Sequence, residues 1–181
     1  MPELTDYSGT WVVDASHTTI GFKVRHAMVT TVNGRFGAFA GTLTLNGTAP
    51  GESSAAVTIE TASIDTSSAQ RDEHLRSADF FDSATYPELR FASTSVSVTG
   101  ESFTVVGDLT IREVTAPVTL NGTLGGVATD PFGNVRAGFE ATATIERRDF
   151  GLTWNAALDK GGWLVGERVT ITLDVSAIKQ G

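Results

Sequence analysis

Along the segment VRAGFEATATIERR, Val135, Ala137, Phe139, Ala141, Ala143 and Ile145 are apolar, while Arg136, Glu140, Thr142, Thr144 and Glu146 are polar. A period of two predicts a strand with one dry face and one wet face. ERVTITLDVSAI repeats it, with Val169, Ile171, Leu173 and Val175 on the dry face. So do SFTVVGDLTI, with Phe103, Val105, Gly107, Leu109 and Ile111, and TTIGFKVRH, with Ile20, Phe22 and Val24. Weaker runs at 10–14, 34–45, 55–60, 89–98 and 116–124 bring the expected total to about eight or nine strands. LNGTAPGE, VTGES, DPFGN and DKGG supply turns between several of them. Consecutive alternating strands with short turns favour antiparallel pairing. One dry face per strand favours a barrel or sandwich.

Two segments depart from this period. SSAQRDEHLRSADFF has helix formers from Ala69 to Arg76, with Ser67 or Ser68 in place to cap them, and predicts one or two helical turns. RRDFGLTWNAALDKGG, at 147–162, is a long connection without a period, and such loops usually have a function. There is no repeat, low-complexity tract or linker, so the expectation is one domain over 1–181.

The dry faces mix small residues (Ala137, Ala141, Ala143, Gly107, Gly122) with Phe22, Phe103 and Phe139. A closed barrel of about eight strands either fills with side chains or holds one small ligand. The small positions suggest a lined cavity. They are equally explained if large residues from across the barrel fill the gaps.

Composition narrows the chemistry. With 40% hydrophobic and 19% charged residues the chain is expected to be globular rather than disordered. The absence of cysteine excludes disulfides, thiolate catalysis and cysteine-based zinc sites. A formal net charge of -8 disfavours nucleic acid and stable adhesion to an anionic membrane. No stretch is long and apolar enough for a transmembrane helix, and MPELTDYSGTWVVD does not read as a signal peptide, so the expected compartment is the cytoplasm. No serine sits in a nucleophile-elbow pattern, and GAFAG and GTLGG lack the helix of a phosphate-cradling loop. No catalysis is expected.

More specific are the ordered motifs. WVVDASHTTIGFKVRHAMVTTVNGRFGAFAGTL carries Asp14, His17, Thr18, Ile20, Phe22, Val24, His26, Val32, Gly34, Phe36, Phe39 and Gly41. SADFFDSATYPELRF, VGDLTIREVTAPVTL and RRDFGLTWNAALDKGGWLVGERVTITLDVSA follow. Together, from Trp11 to Ser176, they resemble the YceI-like family of polyisoprenoid-binding proteins. The resemblance implies an all-β fold: a lipocalin-like, extended antiparallel β-barrel of about eight strands with one or two short helices. It also implies an elongated apolar pocket for a polyisoprenoid, an isoprenoid quinone or a similar lipid, bound without a cofactor or covalent chemistry. Many relatives are periplasmic, in contrast to the compartment expected here. A shared mouth or exposed strand edges could support a homodimer.

On this reading Ile20, Phe22, Val24, Phe39, Leu43, Phe91, Phe103, Val105, Phe139, Ala141, Ala143, Trp154, Val169 and Ile171 line the pocket. Plain core packing is the alternative for each. Phe80 and Phe81 are adjacent and cannot share one face of a strand, but in a loop both can turn inward and plug a barrel end. Asp79 and Asp82 would then bond turn amides. His26, Arg71, Arg148, Asp149 and Asn155 are candidates for a polar mouth, with Arg147 beside them, and arginine would suit a phosphate head. Trp154 and Trp163 would stack at the entrance or anchor the loop. His17, His26 and His74 raise a rival metal-binding reading. However, an odd offset puts His17 and His26 on opposite faces of a regular strand, and His17 follows DAS as a turn residue. A third reading is a filled scaffold that works through partners.

Overall fold

The computed structural model describes residues 3–181. Its strands are β1 (Gly9–Val13), β2 (Thr19–His26), β3 (Thr30–Phe36), β4 (Phe39–Leu45), β5 (Ser54–Glu60), β6 (Ile64–Asp65), β7 (Glu88–Thr99), β8 (Ser102–Ile111), β9 (Val114–Thr129), β10 (Val135–Glu146) and β11 (Val165–Lys179). All pair antiparallel in one sheet. β1 and β2 are two halves of one long strand, as are β3 with β4 and β5 with β6; each is broken by a short irregular step. Counted so, eight strands run up and down in chain order, and the last closes on the first through β11–β2 and β11–β1. This is a closed antiparallel barrel, which leaves few unpaired edges.

The strands found from alternation all form. Some extend beyond the expected bounds: β9 runs from Val114 to Thr129, where only its central part alternates in sequence. The helix α1 spans Ala69–Arg76, and the Ser68 side chain caps it by accepting from the Arg71 amide. The long connection opens with a 3-10 turn at Arg147–Phe150.

The break between β1 and β2 shows why the DASHT segment is needed. β11 pairs β2 through Asp174 and β1 from Ala177, so Ser176 faces the gap. Its amide donates to Thr18 Oγ1 at 3.0 Å, and its carbonyl accepts from the Asp14 amide at 2.8 Å. The carboxylate of Asp14 caps the turn at Ala15–His17 by accepting from the Ser16 amide, and its Oδ2 lies 2.8 Å from Arg136 Nη1. Arg136 Nε donates to Asp130 Oδ2, also at 2.8 Å. Asp130 in turn accepts from the amides of Phe132 and Asn134, which fixes the β9–β10 turn. One guanidinium therefore joins the strand break to a hairpin turn far away in sequence.

Both carboxyls are pulled below the ordinary value of 3.8, first of all by the Arg136 guanidinium; Asp130 falls to about 2 and Asp14 lower still. A carboxyl depressed in the folded state stabilises above its unfolded value and loses that contribution as pH falls through its folded value. The stabilisation is thus full above about pH 5 and fades towards pH 2. Arg136→Met is expected to lower the melting temperature near neutral pH and to flatten the acid decline. Thermal melts followed by circular dichroism over that pH range test this; parallel curves for variant and parent would show that the bridge contributes nothing.

Candidate functional site

The barrel interior is not filled. It encloses a cavity of about 800 Å³, within the size range of pockets that bury a small ligand. Three phenylalanine–glycine pairs keep it open. Phe22 lies directly opposite Gly34 on the next strand, and Phe103 directly opposite Gly122. Phe91 is diagonal to Gly107. A Cβ on Gly34, Gly107 or Gly122 would overlap the ring tip of Phe22, Phe91 or Phe103 respectively. Each ring therefore lies across the neighbouring backbone, along the wall. The gaps left by small residues are filled sideways from the next strand, and the middle of the barrel stays empty.

Packed clusters bound the cavity. At the β1 end Tyr7, Trp11, Ala137 and Ala177 are buried together, and Trp11 Nε1 donates to the Tyr7 carbonyl at 2.7 Å. Ile64, Leu89, Ile111, Phe150 and Leu152 belong to the larger cluster, against which Leu75 of α1 and Phe81 pack. Phe80 and Phe81 both turn inward and line the cavity, as the plug reading requires. Phe80 packs on Trp154 (5.5 Å between ring centres) and His74 (5.1 Å), and Phe81 meets Phe36 edge-on at 5.8 Å. The carboxylates of Asp79 and Asp82 do not serve as expected. Asp79 Oδ2 lies 2.8 Å from His74 Nε2, so the helix side chain takes it. At Asp82 the backbone carbonyl, not the carboxylate, accepts from Thr85 and Tyr86.

Fourteen of the sixteen expected apolar residues line the cavity: Ile20, Phe22, Val24, Leu43, Phe80, Phe81, Phe91, Phe103, Val105, Phe139, Ala141, Trp154, Val169 and Ile171. Phe39 and Ala143 do not. Phe39, opposite Ile59, packs into the filled part of the core, and the short Ala143 side chain is buried in a cluster that includes Ile145 and Ile171. Of the polar candidates, His26 and Arg71 line the cavity. Arg148 and Asp149 are exposed, because the 3-10 turn buries Arg147 and Phe150 instead. Asn155 is spent on the backbone of Val165: its Nδ2 donates to the carbonyl at 2.8 Å and its Oδ1 accepts from the amide at 2.9 Å.

Arg147, expected beside the polar mouth, lines the cavity, as do His74, considered only as a metal ligand, and Gln70, which sequence reasoning missed. Arg147 continues the inward parity of Ile145 by one step past the strand. Gln70 and His74 are four apart on α1, which sets them on one helix face. Arg147 is 3% exposed and donates to the carbonyls of Leu152 (2.7 Å), Trp154 (2.9 Å), Val165 (3.4 Å) and Gly166 (2.8 Å). Burial pushes its guanidinium pKa down, against the pull of Glu167. It holds the closing loop in place. At the tip of the β2–β3 hairpin Met28 and Val29 are exposed, the Ala27 amide donates to the Leu164 carbonyl, and the nearby Trp163 is 58% exposed. Trp154, by contrast, faces His74 at 4.5 Å. The three histidines do not converge: His17 pairs with Asp14, His74 with Asp79, and His26 faces the lumen. No group of three potential metal ligands exists among the described residues.

A family model for the YceI-like domain matches residues 11–177. Protein YceI of Escherichia coli O17:K52:H18 (strain UMN026 / ExPEC) is 40% identical over 167 residues, which cover 92% of this chain and 84% of that protein. Burkholderia cenocepacia BcnA superposes with a TM-score of 0.79 at 23% identity, covering 91% of this chain and 98% of BcnA. A polyisoprenoid binding domain from Saccharophagus degradans, implicated in plant cell wall breakdown, superposes with a TM-score of 0.72 at 16% identity, covering 94% and 98%. At those identities the two structures establish the fold.

The wall geometry separates two substitutions that look alike. At Gly34 the atoms nearest a new Cβ all belong to the Phe22 ring, so Gly34→Ala is expected to push that ring into the lumen and weaken ligand retention at little cost in stability. At Gly122 it also meets the Glu140 carbonyl, so Gly122→Ala is expected to cost about 1–3 kcal/mol of folding stability. Urea titrations paired with retention of a fluorescent lipid check the contrast; equal destabilisation would refute it. Phe80→Ala with Phe81→Ala is expected to speed release of that lipid by more than it lowers the melting temperature. An unchanged release rate would remove the plug.

Proposed function

Because the chain belongs to the YceI-like family, we propose that it binds a long apolar amphiphile, reversibly and without covalent chemistry, and sequesters or carries it. The observation that supports this best is the lumen that the side chains leave unfilled: about 800 Å³ walled by aliphatic and aromatic side chains. Water in such a space finds few partners, so an apolar chain displaces it favourably. Each methylene buried contributes about 0.8 kcal/mol before the loss of chain freedom is subtracted. A polyisoprenoid is the first ligand class to test, since the structural neighbour from Saccharophagus degradans carries that description. Quinones and other prenyl lipids follow from the same wall chemistry.

Native mass spectrometry of the purified protein, followed by organic extraction, tests the proposal. The expected result is an added mass that extraction resolves as a long-chain lipid, or uptake of a prenyl lipid added to the protein. A bare mass with no uptake would overturn the reading. Phe139→Asp, which puts a charge into the apolar wall, is expected to abolish uptake and lower the melting temperature.

A further inference from the structure

Among the described residues, the large apolar side chains that stand exposed are Val12, Met28, Val29, Phe132 and Trp163. Three of them meet at one end of the barrel. Met28 is 61% exposed, Val29 74% and Trp163 58%. Met28 and Val29 form the tip between β2 and β3, and Trp163 stands in the long connection just before β11. The two segments touch. The Ala27 amide donates to the Leu164 carbonyl at 2.7 Å, and the Met28 sulfur lies against Gly162, where a Cβ would overlap it. Single exposed apolar residues are ordinary, but a contiguous group marks a surface that meets a partner.

The tip is held in shape by its own bonds. The Val29 amide donates to the His26 carbonyl at 3.1 Å. Arg25 donates from Nη2 to the Met28 carbonyl and from Nη1 to Thr31 Oγ1, both at 3.1 Å. Ala27 and Met28 have positive φ, 50° and 65°. Glycine or asparagine adopts such a turn at lower cost, so the turn alone does not call for a methionine. Trp163 is fixed by its bridge to Ala157. The exposed group also borders the lumen. His26, next to the tip, and Leu164 and Val165, next to Trp163, line the cavity. Asn155 bonds Val165, and the neighbouring Trp154 packs on Phe80, so the group lies beside the rings that close this end.

We propose that Met28, Val29 and Trp163 form an edge that docks on the surface of a zwitterionic lipid bilayer, where the protein takes up and releases its apolar ligand. The docking edge rests on the amphiphile reading above and adds a partner surface to it. A lipid that crosses water alone exposes its whole tail, at a cost for every methylene. Contact at the rim of the cavity avoids that passage. Tryptophan suits the boundary, with an apolar body and an N–H for the wet side. Three side chains are far fewer than the roughly 20–30 residues that each partner gives to a standard protein interface. Such a group fits brief insertion into a bilayer better than a stable complex. Charge selects the kind of bilayer. The chain carries 21 Asp and Glu against 13 Lys and Arg, which repels an anionic surface. Close to the edge in sequence, Arg25 and Lys160 stand against Asp159 and Glu167, a balance that a neutral surface accepts.

The rate of delivery tests this on the full chain. The protein is loaded with dansyl-labelled geranylgeraniol and mixed with phosphatidylcholine vesicles that carry a fluorescence quencher. Transfer is expected to speed up in proportion to vesicle concentration. A rate independent of vesicle concentration would mean release into water; it would overturn the docking edge and leave the lipid-binding reading standing. Met28→Ser with Val29→Ser is expected to slow transfer about tenfold, as suits the loss of two apolar side chains from the contact, with affinity for the loaded lipid and melting temperature unchanged. An unchanged transfer rate in that variant would overturn the edge. Phe132 is 88% exposed but lies in the β9–β10 turn, at the opposite end of the barrel, where the start of β10 pairs with the last residues of β11. Phe132→Ser is expected to leave transfer unchanged; equal slowing would overturn the assignment to this edge. Light scattering checks for a second copy: a parent dimer that Met28→Ser with Val29→Ser dissociates would give the edge to that copy and overturn the proposal. Failure to load any lipid would overturn the docking edge and the amphiphile reading together. Should the double variant fold poorly, the concentration dependence of the parent protein still decides.

Discussion

The hollow interior depends on how three aromatic rings lie. A barrel of eight strands has room for side chains to meet in the middle. Here Phe22, Phe91 and Phe103 lie over Gly34, Gly107 and Gly122 instead. Each ring covers backbone that would otherwise be bare, so its apolar surface is buried in the wall and it needs no partner from across the barrel. A glycine is required because any Cβ occupies the space of the ring. Stability and emptiness then come from the same contacts, which is unusual, since an unfilled core ordinarily forfeits dispersion contacts.

A wall built this way must be closed at its ends by other means, and the ends differ. Tyr7, Trp11, Ala137 and Ala177 make a compact seal, reinforced by Trp11 donating to the Tyr7 carbonyl and by Lys179 standing over the Trp11 ring at 5.5 Å. The α1 side is closed by rings from separate loops: Phe80 and Phe81 after the helix, and Trp154 in the long connection. Its loop backbone is tied by Arg147 and Asn155, with a single β-bridge between Ala157 and Trp163. Segments with few ladder hydrogen bonds open at lower free energy than barrel strands. The α1 side is therefore the side where a gate costs least.

Much of this was legible in the sequence. Parity along β2, β8, β10 and β11 named nine of the residues on the wall, because every second side chain of a barrel strand must face inward. It failed where parity stops being informative. Phe39 and Ala143 have the right parity, but both pack within the larger hydrophobic cluster and not on the cavity wall. Arg148, Asp149 and Asn155 lie in a connection with no period, and there proximity in sequence says little about direction. Arg147 was expected beside a polar mouth, yet its near-complete burial runs against the usual exposure of arginine. The four carbonyls around it resolve that contradiction.

Three arginines show how one residue type fixes different parts of the fold. Arg136 joins two carboxylates and fixes the fold of the strand break. Arg147 gathers loop carbonyls and fixes the closed end. In both, the donors are turned towards protein acceptors, and removal of either would leave those acceptors unsatisfied. Arg71, which lines the cavity, donates to the hydroxyl and carbonyl of Thr66, whose hydroxyl donates in turn to Asp72, and so fixes the turn that leads into α1. Ordering a long cationic side chain costs rotamer entropy, which these hydrogen bonds offset.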